Sequence, residues 1–392
     1  MKQKSKKMKK LLIVSPFFFP ELISSGKYNT DLAIQLSDEE LSVEVLCSHP
    51  LYPDWKPRYT SKLLDGVIIK RGGSWLRYPK NPMLRRFILE FWFFIFTLLN
   101  LNKLRSSDVI IVILPPSCFV LATFFTNSST KIFGIVHDLQ AVYLNKEDSK
   151  IKKILLGLIK IIERTAFKRC NGLIYLSKEM KKEATKVYKL EEKISEIAYP
   201  FITIDDFNCK GTLKRYFKSE YFNVVYSGAL GEKQNPQGMF EIANLLVDSN
   251  PSVRFLFFSR GPDYDKLKIQ NKNDKIIFND LVDPESLGEL LIMSDIQIVP
   301  QASGTSKGSL PSKVPNILAS GTTIFAITDK DSELQELLSE QKGCYVSNTW
   351  NKKRNLDVLV SLSNKRPIKH DRSDKLDLYQ KDSLSKLIVG MI

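Results

Sequence analysis

Short apolar runs, each closed by turn residues, recur along the whole chain and alternate with longer stretches of helical spacing. In the first half the runs at residues 11–15 (LLIVS), 43–48, 66–70, 108–114, 131–136, 172–177 and 194–198 predict strands. In the second half those at 222–227 (FNVVYS), 253–259, 275–278, 296–300 (IQIVP), 322–327 (TTIFAI) and 343–347 do the same. Helical patterns fall between them, over about 28–36, 85–101, 146–169, 177–188, 237–247 and 284–293, with a further helix in the tail at 373–392. Near-continuous apolar strands separated by helices read as βαβ units, whose parallel sheets are covered on both faces.

Two such arrays of similar size follow one another. The fold class they predict is α/β, with two doubly wound, Rossmann-like domains facing across a cleft framed by strand ends. Turn residues and charge collect at 200–218, which places the boundary there. The domains expected are 1–205, 206–370 and a C-terminal helix, 371–392, able to cross back to the first. The G-x-G-x-x-G fingerprint is absent, which weakens a dinucleotide-dependent reading.

Charge divides the halves further. The 392 residues carry a net charge of +15. Residues 1–200 hold 33 Lys and Arg against 19 Asp and Glu, and the rest hold 25 against 24. The basic half is expected to meet something anionic. No nucleic-acid recognition motif is present, so nucleic acid is not an expected partner and an anionic membrane surface is. The stretch 85–101 is strongly apolar, begins at Arg85-Arg86 and is followed by Lys103 and Arg105. It is too short, and interrupted by Glu90, to span a hydrocarbon core of about 30 Å. It reads as a core helix, as a helix in a membrane interface, or as both on different faces. The basic amphipathic helix at 146–169 has the same two readings. The start, MKQKSKKMKK before an apolar run, imitates a signal peptide but is taken as a basic tail and a first strand. Cys47, Cys118, Cys170, Cys209 and Cys344 are odd in number and form no C-x-x-C, as expected for reduced thiols in the cytosol. His49, His137 and His370 lack metal-ligand spacing, so no metal site is expected.

The candidate chemistry centres on residues 296–327, which read as strand, Gly- and Ser-rich loop, helix and strand. Ser312 is the expected N-cap, Pro315 falls in the first turn and Gly321 sits at the C-cap. With Lys313 at the helix start, this is either a phosphate or pyrophosphate site or an ordinary strand-to-helix turn. The glycine-containing turn GALGEKQNP, with Gly228 and Lys233, follows the first strand of the same half. The loops at 228–233 and 303–313 should approach one another, bringing two lysines and two sets of backbone N–H groups to a diphosphate. In the first half, His137 and Asp138 close a strand at its carboxyl end, where ligands bind. HPLYPDWKPR, at 49–58, is a stiff aromatic loop on the same edge.

These segments resemble a known family. YSGALGEKQNPQGMFEIA, FFSRGPDYDKL, LVDPESLGELLIMSDIQIVP and LPSKVPNILASG are similar to successive segments of GT-B glycosyltransferases of family 4. SPFFFPELISSGKY and HPLYPDWKP resemble the branch containing the colanic-acid fucosyltransferase and the O-antigen N-acetyl-L-fucosamine transferase. The resemblance implies a cytosolic, metal-independent, retaining transferase, peripheral on the inner membrane face. Its donor would be a nucleotide diphosphate sugar, a UDP-sugar favoured, and its acceptor an undecaprenyl-diphosphate-linked saccharide. It further implies donor contacts at Gly26, Gly228, Lys233, Arg260, Gly261, Ser309, Leu310 and Pro311, with His137 and Asp138 on the acceptor side. Two departures stand out. Ala229 occupies the position of a common Arg, and the family's pair of glutamates falls at Gly308 and Asn316. Asn316 is expected to contact the ribose instead, with Ser312 and Lys313 supplying the missing phosphate contacts. A nucleotide-sugar epimerase of similar fold and a non-catalytic partner subunit are the alternatives.

Overall fold

A computed structural model describes residues 8–21, 24–39, 41–52, 54–140, 150–372 and 376–392. The chain divides into two compact units, one running up to Tyr199 and rejoined by Lys381–Ile392, the other Pro200–Gln380. The predicted basic tail at 1–7 and the start of the helix at 146 lie outside the described residues.

The sheet of the first unit contains β1 (Lys10–Val14), β2 (Ser42–Ser48), β3 (Val67–Gly72), β4 (Val109–Leu114), β5 (Lys131–Val136), β6 (Gly172–Tyr175) and β7 (Ile194–Ile197). Their order is β3-β2-β1-β4-β5-β6-β7, and every pairing is parallel. β4 is buried at all six positions, which is why its sequence VIIVIL shows no alternation. The helices α1 (Ser24–Asp38), α2 (Pro82–Leu99), α3 (Leu101–Ser106), α4 (Lys150–Arg169) and α5 (Lys178–Tyr188) complete the unit. Ser177 caps α5 as expected, its side chain accepting from the Met180 N–H.

Two apolar faces distinguish α2. Asn81 caps it by accepting from the N–H groups of Met83 and Leu84, and Pro82 occupies the first turn, where its missing N–H has no intrahelical partner to lose. Leu89, Phe93 and Thr97 turn inward, and Phe93 meets Phe119 edge-on with ring centroids 5.1 Å apart. Gly72 and Gly73 let the helix approach β3 closely. A Cβ at Gly72 would lie 2.6 Å from Phe96, and one at Gly73, whose φ is +80°, would lie 2.6 Å from Trp92. On the other side Met83, Phe87, Phe91, Ile95 and Leu99 form an exposed row at a spacing of four residues. Among the described residues no helix is long and apolar enough to cross a membrane.

The second unit repeats the architecture with β8 (Phe222–Ser227), β9 (Val253–Phe258), β10 (Ile276–Asn279), β11 (Ile296–Pro300), β12 (Thr323–Ile327) and β13 (Cys344–Ser347). Their order is β10-β9-β8-β11-β12-β13, again parallel throughout. Its helices are α6 (Pro236–Ser249), α7 (Pro262–Gln270), α8 (Leu287–Met293), α9 (Val314–Ala319), α10 (Glu333–Ser339) and α11 (Lys352–Lys365). α7, α10 and α11 were not expected from the pattern. α7 buries only Tyr264 and Leu267, too few apolar positions for a readable stripe. The tail helix, α12 (Ser383–Met391), packs against α1 in the first unit, and Lys9 Nζ donates to the Ile392 carbonyl at 2.9 Å.

Two local expectations are corrected. α9 begins at Val314 with Lys313 in the cap position and no side-chain cap, so Ser312 does not cap it. Pro315 does fall in the first turn, and Gly321 does take a positive φ of 70°. Gly26 lies inside the first turn of α1, not in a loop before it, and a Cβ there would come within 2.8 Å of Glu21 Cβ.

The two faces of α2 predict opposite mutational outcomes. Phe93→Ala is expected to lower unfolding free energy by about 3–5 kcal/mol. Phe91→Ala should stay within about 0.5 kcal/mol. Denaturant titration of both variants checks this, and equal losses would contradict the two-faced assignment.

Candidate functional site

In each sheet the strand order reverses once, between β1 and β4 in the first unit and between β8 and β11 in the second. Open parallel sheets take ligands beyond the carboxyl ends of the strands at such a reversal.

In the second unit, pairing of β8 with β11 covers only Val224–Ile296 and Val225–Gln297, after which the strands part. Three loops gather over this gap. Gly228, with φ of +124°, turns the chain out of β8, and its N–H donates to the Phe258 carbonyl at the end of β9. The N–H of Ala302, just past β11, donates to the Lys233 carbonyl at 2.8 Å. A Cβ on Gly261, whose φ is +125°, would sit 3.3 Å from the Leu230 carbonyl oxygen. The turn that carries Gly228 and Lys233 thus touches the Gly261 loop on one side and Ala302, at the start of the loop after β11, on the other.

Their polar groups are used differently from the expectation. Lys313 turns inward. Its Nζ donates to the carbonyls of Ser227 (3.2 Å) and Ile298 (3.1 Å) and lies 4.1 Å from the Tyr226 ring centroid. The residue is half-buried overall, but its ammonium end is enclosed, and burial pushes its pKa down to about 7. It closes the gap between two parting strands and is not presented to an anion from solvent. Asn316 is buried too. Its Oδ1 accepts from the N–H groups of Thr203 (2.9 Å) and Ile204 (3.3 Å), and its Nδ2 donates to Thr203 Oγ1 (3.0 Å). These bonds replace the ribose contact expected of it.

Backbone donors are also partly committed. The Asp329 carboxylate, past the end of β12, accepts from the N–H groups of Gly304 (2.8 Å) and Ser306 (3.3 Å). Asp329 was missed by sequence reasoning, although its place just beyond an apolar strand was a usable signal. Gln301 Nε2 donates to the Ser309 carbonyl at 3.1 Å, Leu310 is buried, and Pro311 and Ser312 are half-buried beside it. Arg260 is half-buried just past the end of β9, with its Nε 3.5 Å from the Asp280 carboxylate. Lys233 is half-buried at the centre of the gathered loops.

In the first unit, β5 delivers His137 and Asp138 to the carboxyl edge, and the His137 N–H donates to the Leu114 carbonyl at 2.8 Å. Burial pushes the His137 pKa down to about 4, with Asp138 opposing the shift. The ring is neutral at physiological pH, which suits it to orienting a hydroxyl and not to storing a proton. Gly26 lies in the first turn of α1. That turn packs on Glu21, whose buried carboxylate accepts from the N–H groups of Leu51 (2.7 Å) and Tyr52 (3.1 Å). Among the described residues no group of three or more His, Cys, Asp or Glu side chains is placed to hold a metal ion.

No protein-family model matches the chain. WcaI of Escherichia coli (strain K12), assigned as a colanic acid biosynthesis glycosyl transferase, is 25% identical over 371 residues, covering 86% of this chain and 88% of WcaI. Among solved structures, sucrose-phosphate synthase from Thermosynechococcus elongatus superposes with a TM-score of 0.75 at 10% identity, covering 98% of each chain. WaaG, a glycosyltransferase involved in lipopolysaccharide biosynthesis, gives 0.74 at 11% identity, covering 97% of this chain and all of that one, 100%. The fold is that of the GT-B glycosyltransferases, and the curated relative that the sequence matches, WcaI, is a glycosyl transferase by its description. The similarity to WcaI agrees with the resemblance to the colanic-acid branch noted in the sequence.

The depressed His137 pKa has a testable sign. A free His titrates near 6.5, so the unfolded chain takes up this proton first as pH falls. The stability due to neutral His137 is complete above about pH 6.5 and is lost between there and about pH 4. The stability difference between wild type and His137→Gln should therefore fall by on the order of 3 kcal/mol from pH 7 to pH 4. Denaturation curves at the two pH values measure it, and a difference independent of pH would refute the enclosed, neutral imidazole.

Proposed function

We propose that the chain is a retaining glycosyltransferase. It moves a sugar, of L-fucosamine type by its resemblance, from a nucleotide diphosphate sugar to an undecaprenyl-diphosphate-linked saccharide in surface polysaccharide synthesis. A UDP-sugar is the favoured donor. The reading rests on one observation above the others, the meeting of the Gly228–Lys233 turn with the 301–313 loop over the strand reversal of the second sheet.

Negative charge grows on the β-phosphate as the glycosidic bond breaks. In this reading Lys233 and Arg260 supply the positive charge that stabilises it, and no metal is required. Lys313 acts from beneath by holding the strands that carry the loops. The acceptor hydroxyl attacks from the face the nucleotide leaves, and its proton passes to the departing phosphate. His137 and Asp138 orient the reacting sugar and the acceptor. Asn316 has no part in ribose binding, since its carboxamide is taken up by Thr203 and Ile204.

A lipid-borne acceptor brings the enzyme to an anionic membrane surface. The exposed row on α2, with Phe124 and Phe125 exposed on the segment packed beside it, supports this. So do Arg85 and Arg86 at the start of the helix and the excess positive charge of the first 200 residues. The exposed phenylalanines Phe87 and Phe91 stack in parallel, with centroids 6.4 Å apart.

Lys233→Ala should lower kcat/KM for sugar transfer by about 10²–10³-fold with an unchanged melting temperature. Near-normal transfer in a product assay would remove Lys233 from the site. Donor supplied without acceptor should return unchanged, and epimerised sugar would mark the molecule as an epimerase. The Phe87→Asp/Phe91→Asp variant should lose about tenfold or more in partition to vesicles containing anionic lipid while keeping its melting temperature. Equal partition of variant and wild type would remove α2 from the membrane contact.

A further inference from the structure

The aromatic loop after β2 is held in a defined shape. Glu21 takes the N–H groups of Leu51 and Tyr52, and Arg58 Nη2 donates to the Tyr52 carbonyl at 2.7 Å. The loop presents Trp55 with a φ of 56°. A bulky residue in the left-handed region is a genuine outlier, and such strain persists where the surroundings over-determine it, commonly at ligand clamps.

Side chains from three other segments surround the indole. Phe17, from the segment after β1, meets it edge-on at 6.5 Å between centroids. Tyr78, from the segment after β3, meets it at 5.4 Å and 72°. The Arg85 guanidinium of α2 lies 4.2 Å from the ring centroid. All four side chains are half-buried. The cluster has unused donors. Tyr78 Oη is enclosed without a hydrogen-bond partner. Among the described residues neither Trp55 Nε1 nor the Arg85 guanidinium makes a hydrogen bond or salt bridge.

This combination has a definite chemistry. The indole face is electron-rich and attracts groups with a positive edge, as the guanidinium position shows. A pyranose offers such a group in its row of axial C–H bonds, and its hydroxyls need polar partners at the rim. The cluster lies beyond the carboxyl ends of β1 to β3, on the ligand-taking edge of the first sheet. α2 carries both Arg85 and the exposed apolar row, so one helix runs from the cluster to the face assigned to lipid.

We propose that Trp55, Phe17, Tyr78 and Arg85 form the saccharide subsite for the acceptor. The indole stacks on a pyranose face, Arg85 binds its hydroxyls, and Phe17 and Tyr78 hold the indole in place. The proposal rests on the transferase reading above and adds where the acceptor sugar sits.

Saturation-transfer NMR on the full chain tests it, with a panel of methyl pyranosides (glucoside, galactoside, N-acetylglucosaminide and fucoside) at millimolar concentration. UDP is a separate probe of the donor site. At least one glycoside should receive saturation at its ring C–H protons, and the signal should survive saturating UDP. Trp55→Ala should reduce it at least tenfold, Trp55→Phe should retain part of it, and Trp75→Ala, at an exposed Trp with no ring contact to the cluster, should leave it unchanged. UDP binding should be equal in all variants, which also shows that they are folded. A glycoside signal insensitive to Trp55→Ala overturns the subsite, and so does the absence of any glycoside signal while UDP binds. If neither glycosides nor UDP bind the folded chain, the transferase reading falls with it.

Discussion

Where β8 and β11 part company, two strand carbonyls lose their ladder partners, and a buried ammonium takes them both. Lys313 bonds to Ser227 and Ile298 and rests on Tyr226, so one side chain holds the ends of the two central strands and the loop that returns over them. Buried carbonyls without donors are costly, and a buried charge without partners is more so. Each resolves the other here, at the price of an ammonium whose pKa falls to about 7. The loops that carry Gly228, Lys233 and Gly261 are placed by this closure. Asp329 secures the far side of the same loop from β12.

Much of this was legible in the sequence. Each predicted strand appears within a few residues of its expected place, because buried parallel strands write themselves as unbroken apolar runs. An approach of the two loops of the second sheet followed from placing both beyond strand ends of the same array. Side-chain direction did not. Lys313 and Asn316 are polar residues in a Gly- and Ser-rich stretch, and the pattern cannot distinguish a lysine reaching out to phosphate from one reaching in to carbonyls. The strand parting that decides the matter is a property of the sheet, not of the local string. Asp329 and Glu21 were missed for a related reason. Each is a single carboxylate that serves N–H groups distant in sequence, 23 to 31 residues away.

The first unit shows how one helix carries two apolar faces. α2 packs Phe93 into the core and keeps its outer row in the open. Glu90, the residue that broke the apolar run, points to neither face in vain. Its Oε2 accepts from the N–H groups of Ser117 and Cys118, just past β4 at the strand reversal. Arg85 contacts Trp55 in the loop after β2. The helix assigned to the membrane surface is thus joined to two loops at the ligand-taking edge of its sheet.

The central claim is that the loops over β8 and β11 grip the diphosphate of a sugar nucleotide. A thermal-shift panel of UDP-, GDP- and dTDP-sugars tests it most directly, because a ligand that binds only the folded state raises its stability by about 2.7 kcal/mol at a hundredfold excess over Kd. One nucleotide series should raise the melting temperature by a few degrees, and Lys233→Ala should remove most of the rise. A flat response to the entire panel, in a protein that melts cooperatively, would contradict the claim.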